Sequence, residues 1–185
     1  MRVIAGKYRR RKLESPEGSE TRPMLDGLRE TLFNILQLEV PGTVFADLYS
    51  GTGAVGIEAL SRGARQAILV EADPRATKVI ERNLAALGAE ADAMVVHAAV
   101  ERALPRIEAD IWFLGPPYAA HDEYHKTLAA LAAKGAKLAI AQHAAKFEPR
   151  EAYGELKKVR VVKAGSNALS FYRREEPEAD EPPAS

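Results

Sequence analysis

Cysteine is missing from all 185 residues. That excludes disulfides, a thiolate nucleophile and cysteine-ligated zinc or iron–sulfur sites. No apolar run approaches the length of a membrane span. The first residues lack the apolar stretch of a secretory signal. Net charge is absent in sum, with 26 basic and 26 acidic side chains. The four histidines make no metal set. His121 and His125 share a helix face beside Asp122, and no third ligand is in view. Ser50 lies outside any G-x-S-x-G context, which disfavours serine hydrolase chemistry. A soluble, cytoplasmic, metal-free monomer is expected, long enough to bury one core.

What is present is unevenly placed. The first twelve residues, MRVIAGKYRRRK, carry Arg2, Lys7, Arg9, Arg10, Arg11 and Lys12 and no acid. A basic arm of this kind points to a polyanion partner. The closing EEPEADEPPAS carries Glu175, Glu176, Glu178, Asp180 and Glu181 and no base. Its composition predicts disorder.

Between these ends, apolar runs of strand length alternate with stretches of helical period. Strands are expected at Thr43–Tyr49, Gln66–Glu71, Ala93–His97, Asp110–Leu114 and Lys137–Gln142. Helices are expected at Ala54–Arg62, from Pro74 to Gly88, near Glu101–Arg106 and at Tyr124–Ala133. Such alternation predicts a mostly parallel sheet covered on both faces. Leu156–Lys163 and Ala168–Arg173, joined by Gly165-Ser166-Asn167, predict an antiparallel hairpin at its end. Residues 2–13 suggest a small basic hairpin. Asp26–Leu38 reads as a helix with Asp26 as its N-cap.

Two turns carry chemistry. Asp47 to Gly56, DLYSGTGAVG, joins the first strand of the sheet to its helix. Gly51, Gly53 and Gly56 fit G-x-G-x-x-G, where glycine lets a ligand approach the backbone. Asp47 ahead of the glycines suits a cationic ligand group better than a pyrophosphate. Glu71, about twenty residues on, is placed to accept from ribose hydroxyls. A ribose with a cationic amino-acid tail fits this pair, and S-adenosylmethionine is such a ligand. A nicotinamide dinucleotide is the minority alternative.

The second turn, Gly115-Pro116-Pro117-Tyr118, follows the strand DIWFL and belongs to the same crevice. Proline fixes φ, carries no N–H and holds its predecessor extended. The turn is therefore stiff, and its free groups are expected to be carbonyls, acceptors for an exocyclic amine. Tyr118 is expected to stack on a flat base, a contact contributing about 1–3 kcal/mol. His97 and His143 end strands near this crevice, and Phe171 and Tyr172 read as packing.

With these stretches in place, the chain resembles the bacterial small-subunit ribosomal RNA guanine-N2 methyltransferases, within the class I S-adenosylmethionine-dependent enzymes. MRVIAGKYRRRKL, TRP followed by LRETLFNIL, DLYSGTGAVGIEALSRGA, LVEADPRA, FLGPPY and LSFYRR carry the likeness, spanning residues 1–174 in family order. The resemblance implies a Rossmann-like methyltransferase fold with a seven-stranded sheet. It implies methyl transfer to the N2 amine of a guanine, leaving S-adenosylhomocysteine. Its partner would be ribosomal RNA or a small-subunit assembly particle. By position, Asp47, Gly51 and Gly53 would line the methionine side of the cofactor and Glu71 would take its ribose, with Tyr49, Thr52, Ala72, Ala99 and Val100 also on the cofactor. Gly115, Pro116, Pro117 and Tyr118 would form the acceptor pocket. Arg22 and Arg29 would join the N-terminal bases on RNA. The implied organisation is a basic RNA-binding extension over 1–25, a methyltransferase domain over 26–174 and an acidic tail over 175–185.

Two departures stand out. The family begins its turn with Asp, or Asn in related enzymes, where this chain has Gly115. It also tends to place Asp or Asn after the third strand, where this chain reads His97-Ala98-Ala99-Val100. Reduced activity is the expected consequence. A non-catalytic RNA-binding or assembly protein on the same fold is the alternative, and a DNA or protein methyltransferase a weaker one.

Overall fold

The computed structural model describes residues 1–16 and 24–175. Arg22 and the acidic tail beyond Glu175 lie outside the described residues.

The apolar runs form the sheet. Strands β1 (Val44–Leu48), β2 (Gln66–Glu71), β3 (Ala93–His97), β4 (Ile111–Leu114) and β5 (Leu138–Ala144) are mutually parallel. VFADL and IWFL are buried at every position, as strands covered on both faces must be. An antiparallel end follows: β6 (Ala152–Tyr153), β7 (Leu156–Ala164) and β8 (Asn167–Arg174), in the order β3-β2-β1-β4-β5-β8-β7-β6. The sheet thus has eight strands, not seven. The extra one, β6, is two residues long and has no alternation to betray it.

Helices cover both faces. They are α1 (Asp26–Ile35), α2 (Ala54–Ser61), α3 (Pro74–Leu87), α4 (Val100–Ala103) and α5 (His121–Lys134). In β1, Ala46 and Leu48 face a core shared with Trp112, Tyr124 and Leu128, while Phe45 faces Phe33, Phe113 and Phe171. Asp73 caps α3, accepting from Arg75 N at 2.8 Å. Asp26 is not the cap of α1. Leu25 holds that position without a side-chain bond, and Asp26, in the first turn, pairs with Arg29 at 3.1 Å. Helix α5 begins at His121, three residues before the expected Tyr124. Asp122 and Glu123 in its first turn complement the helix dipole.

Residues 1–13 form the expected small hairpin, with a bridge between Arg2 and Lys12. Val3, Tyr8 and Leu13 are buried against Ile57 and Leu60 of α2 and Leu84 of α3. The tip reaches the end of α2, where Lys7 N donates to Ser61 O at 2.7 Å. A Cβ on Gly6 would stand 1.8 Å from that same carbonyl oxygen, so only glycine fits. The open end reaches the glycine loop through Asn83, whose amide donates to Glu14 O and Thr52 O, both at 3.1 Å.

Candidate active site

The order of strands locates the crevice. The chain winds from β1 outward through β2 to β3, then returns to place β4 on the other side of β1. Ligands in open sheets bind beyond the carboxyl ends at such a reversal. Leu48 and Leu114 are register partners, so the loops after β1 and β4 leave the sheet side by side. Gly115 N still reaches Leu48 O at 3.4 Å.

On the β1 side, Tyr49 takes φ +63, a left-handed conformation that costs a β-carbon-bearing residue about 1–3 kcal/mol. Its hydroxyl turns toward α5, lying 2.8 Å from Thr127 Oγ1 and 3.1 Å from Glu123 Oε2. Burial pushes its pKa up to about 12, so it stays neutral. Gly51 and Gly53 follow with φ +57 and +78. Nothing lies within 4 Å of a Cβ built on Gly51, so the loop is open there. Gly56 serves packing, since a Cβ there would meet Leu69 at 2.9 Å.

Asp47 is sealed behind this loop at 1% exposure. Its Oδ2 accepts from Gly56 N at 2.9 Å, and its Oδ1 has no partner. Burial, opposed by that hydrogen bond and reinforced by the nearby Glu71 charge, pushes its pKa up to about 7. Glu71 closes β2 half-buried, with Oε2 accepting from Gly51 N at 2.7 Å and Oε1 from Asp73 N at 2.9 Å. A carboxylate has about four acceptor positions, so two remain. Beyond β3, His97 Nε2 lies 3.1 Å from Ala72 O, and Ala99 and Val100 start α4 with no polar side chain.

On the β4 side the turn is held from below. The Tyr124 hydroxyl bridges Pro116 O at 3.0 Å and Gln142 O at 2.9 Å. Pro117 O accepts from Ala120 N at 2.9 Å. The Tyr118 hydroxyl donates to Asn167 Oδ1 and accepts from Gln142 Nε2 at 3.1 Å. A Cβ on Gly115 would stand 3.5 Å from Gln142 Oε1, an ordinary contact.

A family model described as "Conserved hypothetical protein 95" matches residues 1–173. The chain belongs to this family. A Bacillus subtilis relative, YlbH, provisionally named an rRNA methyltransferase, is 33% identical over 184 residues, covering 94% of this chain and 99% of that protein. Ribosomal RNA small subunit methyltransferase D of Escherichia coli is 38% identical over 120 residues, covering 64% of this chain and 60% of that protein. Among solved structures, the Escherichia coli protein yhhF, provisionally named a methyltransferase, superimposes with a TM-score of 0.83 at 32% identity, covering 95% of this chain and 98% of that one. The family and the fold read from the sequence are borne out.

Several expectations for individual residues need correction. Arg29 does not face solvent or RNA. Its side chain is 0% exposed, 3.7 Å from the equally buried Glu58, and its Nη2 donates to Arg2 O at 2.7 Å. Its place on the buried side of α1 was hidden by reading the arginine as a surface charge. The carbonyls of Pro116 and Pro117 are not a free rim either, because Tyr124 and Ala120 already use them. Tyr49 offers its backbone to the crevice rather than its hydroxyl. His143 is buried and bonds Ser170 Oγ at 2.7 Å, away from ligand chemistry. His121 stacks on Phe147, and His125 Nδ1 lies 2.6 Å from the Tyr153 hydroxyl. No group of three metal-ligating side chains occurs among the described residues. No helix among them is long and apolar enough to cross a membrane.

Sequence reasoning missed Gln142 and Asn167, which brace the turn from β5 and β8. Their only signal was position, at strand ends beside the crevice. A cleft of about 770 Å³ opens at the opposite end of the sheet, around Asp110 and Lys137. Its arginines are engaged, Arg173 by Glu39 and Arg174 by Glu155. It lies at the amino ends of the parallel strands and is not the site.

Proposed function

We propose that this chain methylates the exocyclic N2 amine of a guanine in small-subunit ribosomal RNA, with S-adenosylmethionine as methyl donor. S-adenosylmethionine-dependent methylation of ribosomal RNA follows from family membership. The choice of guanine N2 is the finer reading. It rests on the stiff Pro-Pro-Tyr turn standing beside the cofactor loop, where Leu48 and Leu114 are paired.

The residues fit the cofactor. Asp47 Oδ1 is a buried acceptor without a donor, which suits the cationic methionine end. Gly51 leaves room for close approach, with Tyr49, Thr52 and Gly53 contributing backbone. Glu71 keeps two acceptor positions for the ribose diol. Ala72, Ala99 and Val100 offer the adenine backbone groups and apolar surface only. The bound cofactor supplies an electrophilic methyl group: the amine lone pair forms the N–C bond, the C–S pair stays on sulfur, and the amine gives one proton to water.

Pro116, Pro117 and Tyr118 hold the base. The turn is fixed by two prolines, the Tyr124 bridge and the Tyr118 chain, so the amine is oriented without ordering the site at the moment of reaction. Such a base must come from a loop, an end or a flipped position. Arg2, Lys7, Arg9, Arg10, Arg11 and Lys12 are all exposed, and none has an acidic partner among the described residues. They are the phosphate-gripping set. The missing carboxylate at Gly115 weakens the site relative to an aspartate.

Nucleoside mass spectrometry of small-subunit RNA from cells lacking the protein tests this. Loss of one N2-methylguanosine, restored by the purified chain with S-adenosylmethionine, is the expected result. Retention of every N2-methylguanosine rejects the reading. The bare glycine at position 115 favours one second reading, an RNA-binding protein without catalysis. Calorimetry separates the two, because that protein would bind RNA and show no heat with millimolar S-adenosylmethionine.

A further inference from the structure

We propose that Gln142 supplies the acceptor that position 115 lacks, its Oε1 receiving a hydrogen bond from the amine that is methylated. This rests on the guanine-amine reading above. Pro116 O and Pro117 O each already accept one hydrogen bond, from Tyr124 and Ala120, whereas Gln142 Oε1 accepts none among the described residues. Gln142 lies near the end of β5, and β5 pairs with β4, whose end carries the turn. Its Oε1 stands 3.5 Å from the point where a side chain on residue 115 would begin.

The orientation of the amide is dictated by its neighbours. The Tyr118 hydroxyl spends its proton on Asn167 Oδ1 and can then only accept from Gln142. That places Nε2 on Tyr118 and turns Oε1 toward position 115. No donor among the described residues reaches Oε1. Nor is it among the sealed polar atoms without a partner, which are Arg29 Nε and Nη1, Asp47 Oδ1 and Trp112 Nε1. Oε1 is therefore open and unsatisfied, the state expected of an acceptor waiting for a ligand donor. Tyr124 also holds the main-chain carbonyl of Gln142, so the group is fixed at both ends. An amide does not take the proton. It aligns the amine lone pair with the methyl while the proton passes to water.

The experiment uses the full chain, with small-subunit particles from cells lacking it. Gln142→Met keeps the length of the side chain and removes the acceptor. We expect kcat to fall about ten- to a hundredfold, with the Kd for S-adenosylmethionine, the KM for particles and the Tm unchanged. Gln142→Glu, which keeps an acceptor there, should retain at least about a third of the parent kcat, and Gly115→Asp added to Gln142→Met should bring the rate back to the parent's or above it. Unchanged kcat in Gln142→Met, or no rescue by Gly115→Asp, overturns the assignment. So does a matching loss of cofactor affinity, which would mark a structural role. A parent chain that forms no N2-methylguanosine overturns the guanine reading and this inference together. A parent that forms it as fast as Gln142→Met overturns this inference alone.

Discussion

Under the proposed function, Asp47 would couple cofactor binding to pH. Its carboxyl is pushed up to about 7 in the folded chain, from an ordinary value near 4. The folded state thus holds a proton that the unfolded state has released between those values, so stability falls as pH rises through that window and is level above it. The charged form at neutral pH costs on the order of 4 kcal/mol of burial. Asp47→Asn keeps an acceptor for Gly56 N and removes that charge. It should raise the denaturation midpoint at pH 8 and weaken S-adenosylmethionine binding at least tenfold, as calorimetry would read. Parent affinity should rise with pH up to about 7, with proton release on binding; pH-independent affinity would mean the carboxylate does not meet the cationic end. At Gly115 the space is available, as a Cβ makes only ordinary contacts there. Gly115→Asp alone should raise kcat about tenfold, because a charged acceptor forms a stronger hydrogen bond than an amide. A single-turnover rate equal to the parent's would show that an acceptor at this position does not limit methyl transfer.

At the scale of elements, the arm is held by one buried carboxylate. Glu58 accepts from Ile4 N at 2.9 Å, Ala5 N at 3.1 Å and Arg62 Nε at 2.9 Å, and it faces Arg29. Desolvation lowers the Arg29 pKa, and Glu58 offsets it. Glu58→Gln leaves that guanidinium buried with only the exposed Asp26 as counter-charge, so about 3–5 kcal/mol should be lost in urea unfolding. A loss below about 1 kcal/mol would show that the arm stands on its apolar contacts and its bonds to Ser61 and Asn83 instead. This pair also marks where sequence reasoning stops. Strands such as VFADL and IWFL are legible because a buried parallel strand must be apolar throughout, and α3 because Pro74 and Gly88 bound its period. The glycine loop and the Pro-Pro-Tyr turn are legible because their backbones demand those residue types. Arg29 is not, since its partner Glu58 lies 29 positions away and only the docking of α1 on α2 buries both. Gln142 is not, for the same reason: its role comes from a register between strands, and one glutamine in LAIAQHA carries no mark of what lies beside it.

Across the whole molecule the charges cancel, 26 against 26, so no net field draws the chain to RNA. Attraction must come from a local surface. The six arm bases qualify: they are exposed, lack acidic partners among the described residues, and ride on a hairpin clamped to α2 and α3. Because the hairpin is fixed, its charges are presented without the ordering cost a flexible arm would carry. Binding of single-stranded RNA should then fall with salt with a slope of about −4 in log–log terms if all six are neutralised. That is a loss of roughly a hundredfold or more between 50 and 200 mM salt. Replacing Arg9 and Lys12 together by alanine should flatten the slope by about 1.4 and leave S-adenosylmethionine affinity untouched. Arg29→Met should do the reverse, lowering Tm while keeping the slope, because that arginine is sealed inside. An Arg9 and Lys12 double variant with the parent slope would move the RNA footprint off the arm. Arg160 and Lys163 of β7, which have no ion-pair partner among the described residues, would then be the next surface to neutralise, since the β7–β8 turn beside them reaches the crevice through Asn167 and Tyr118.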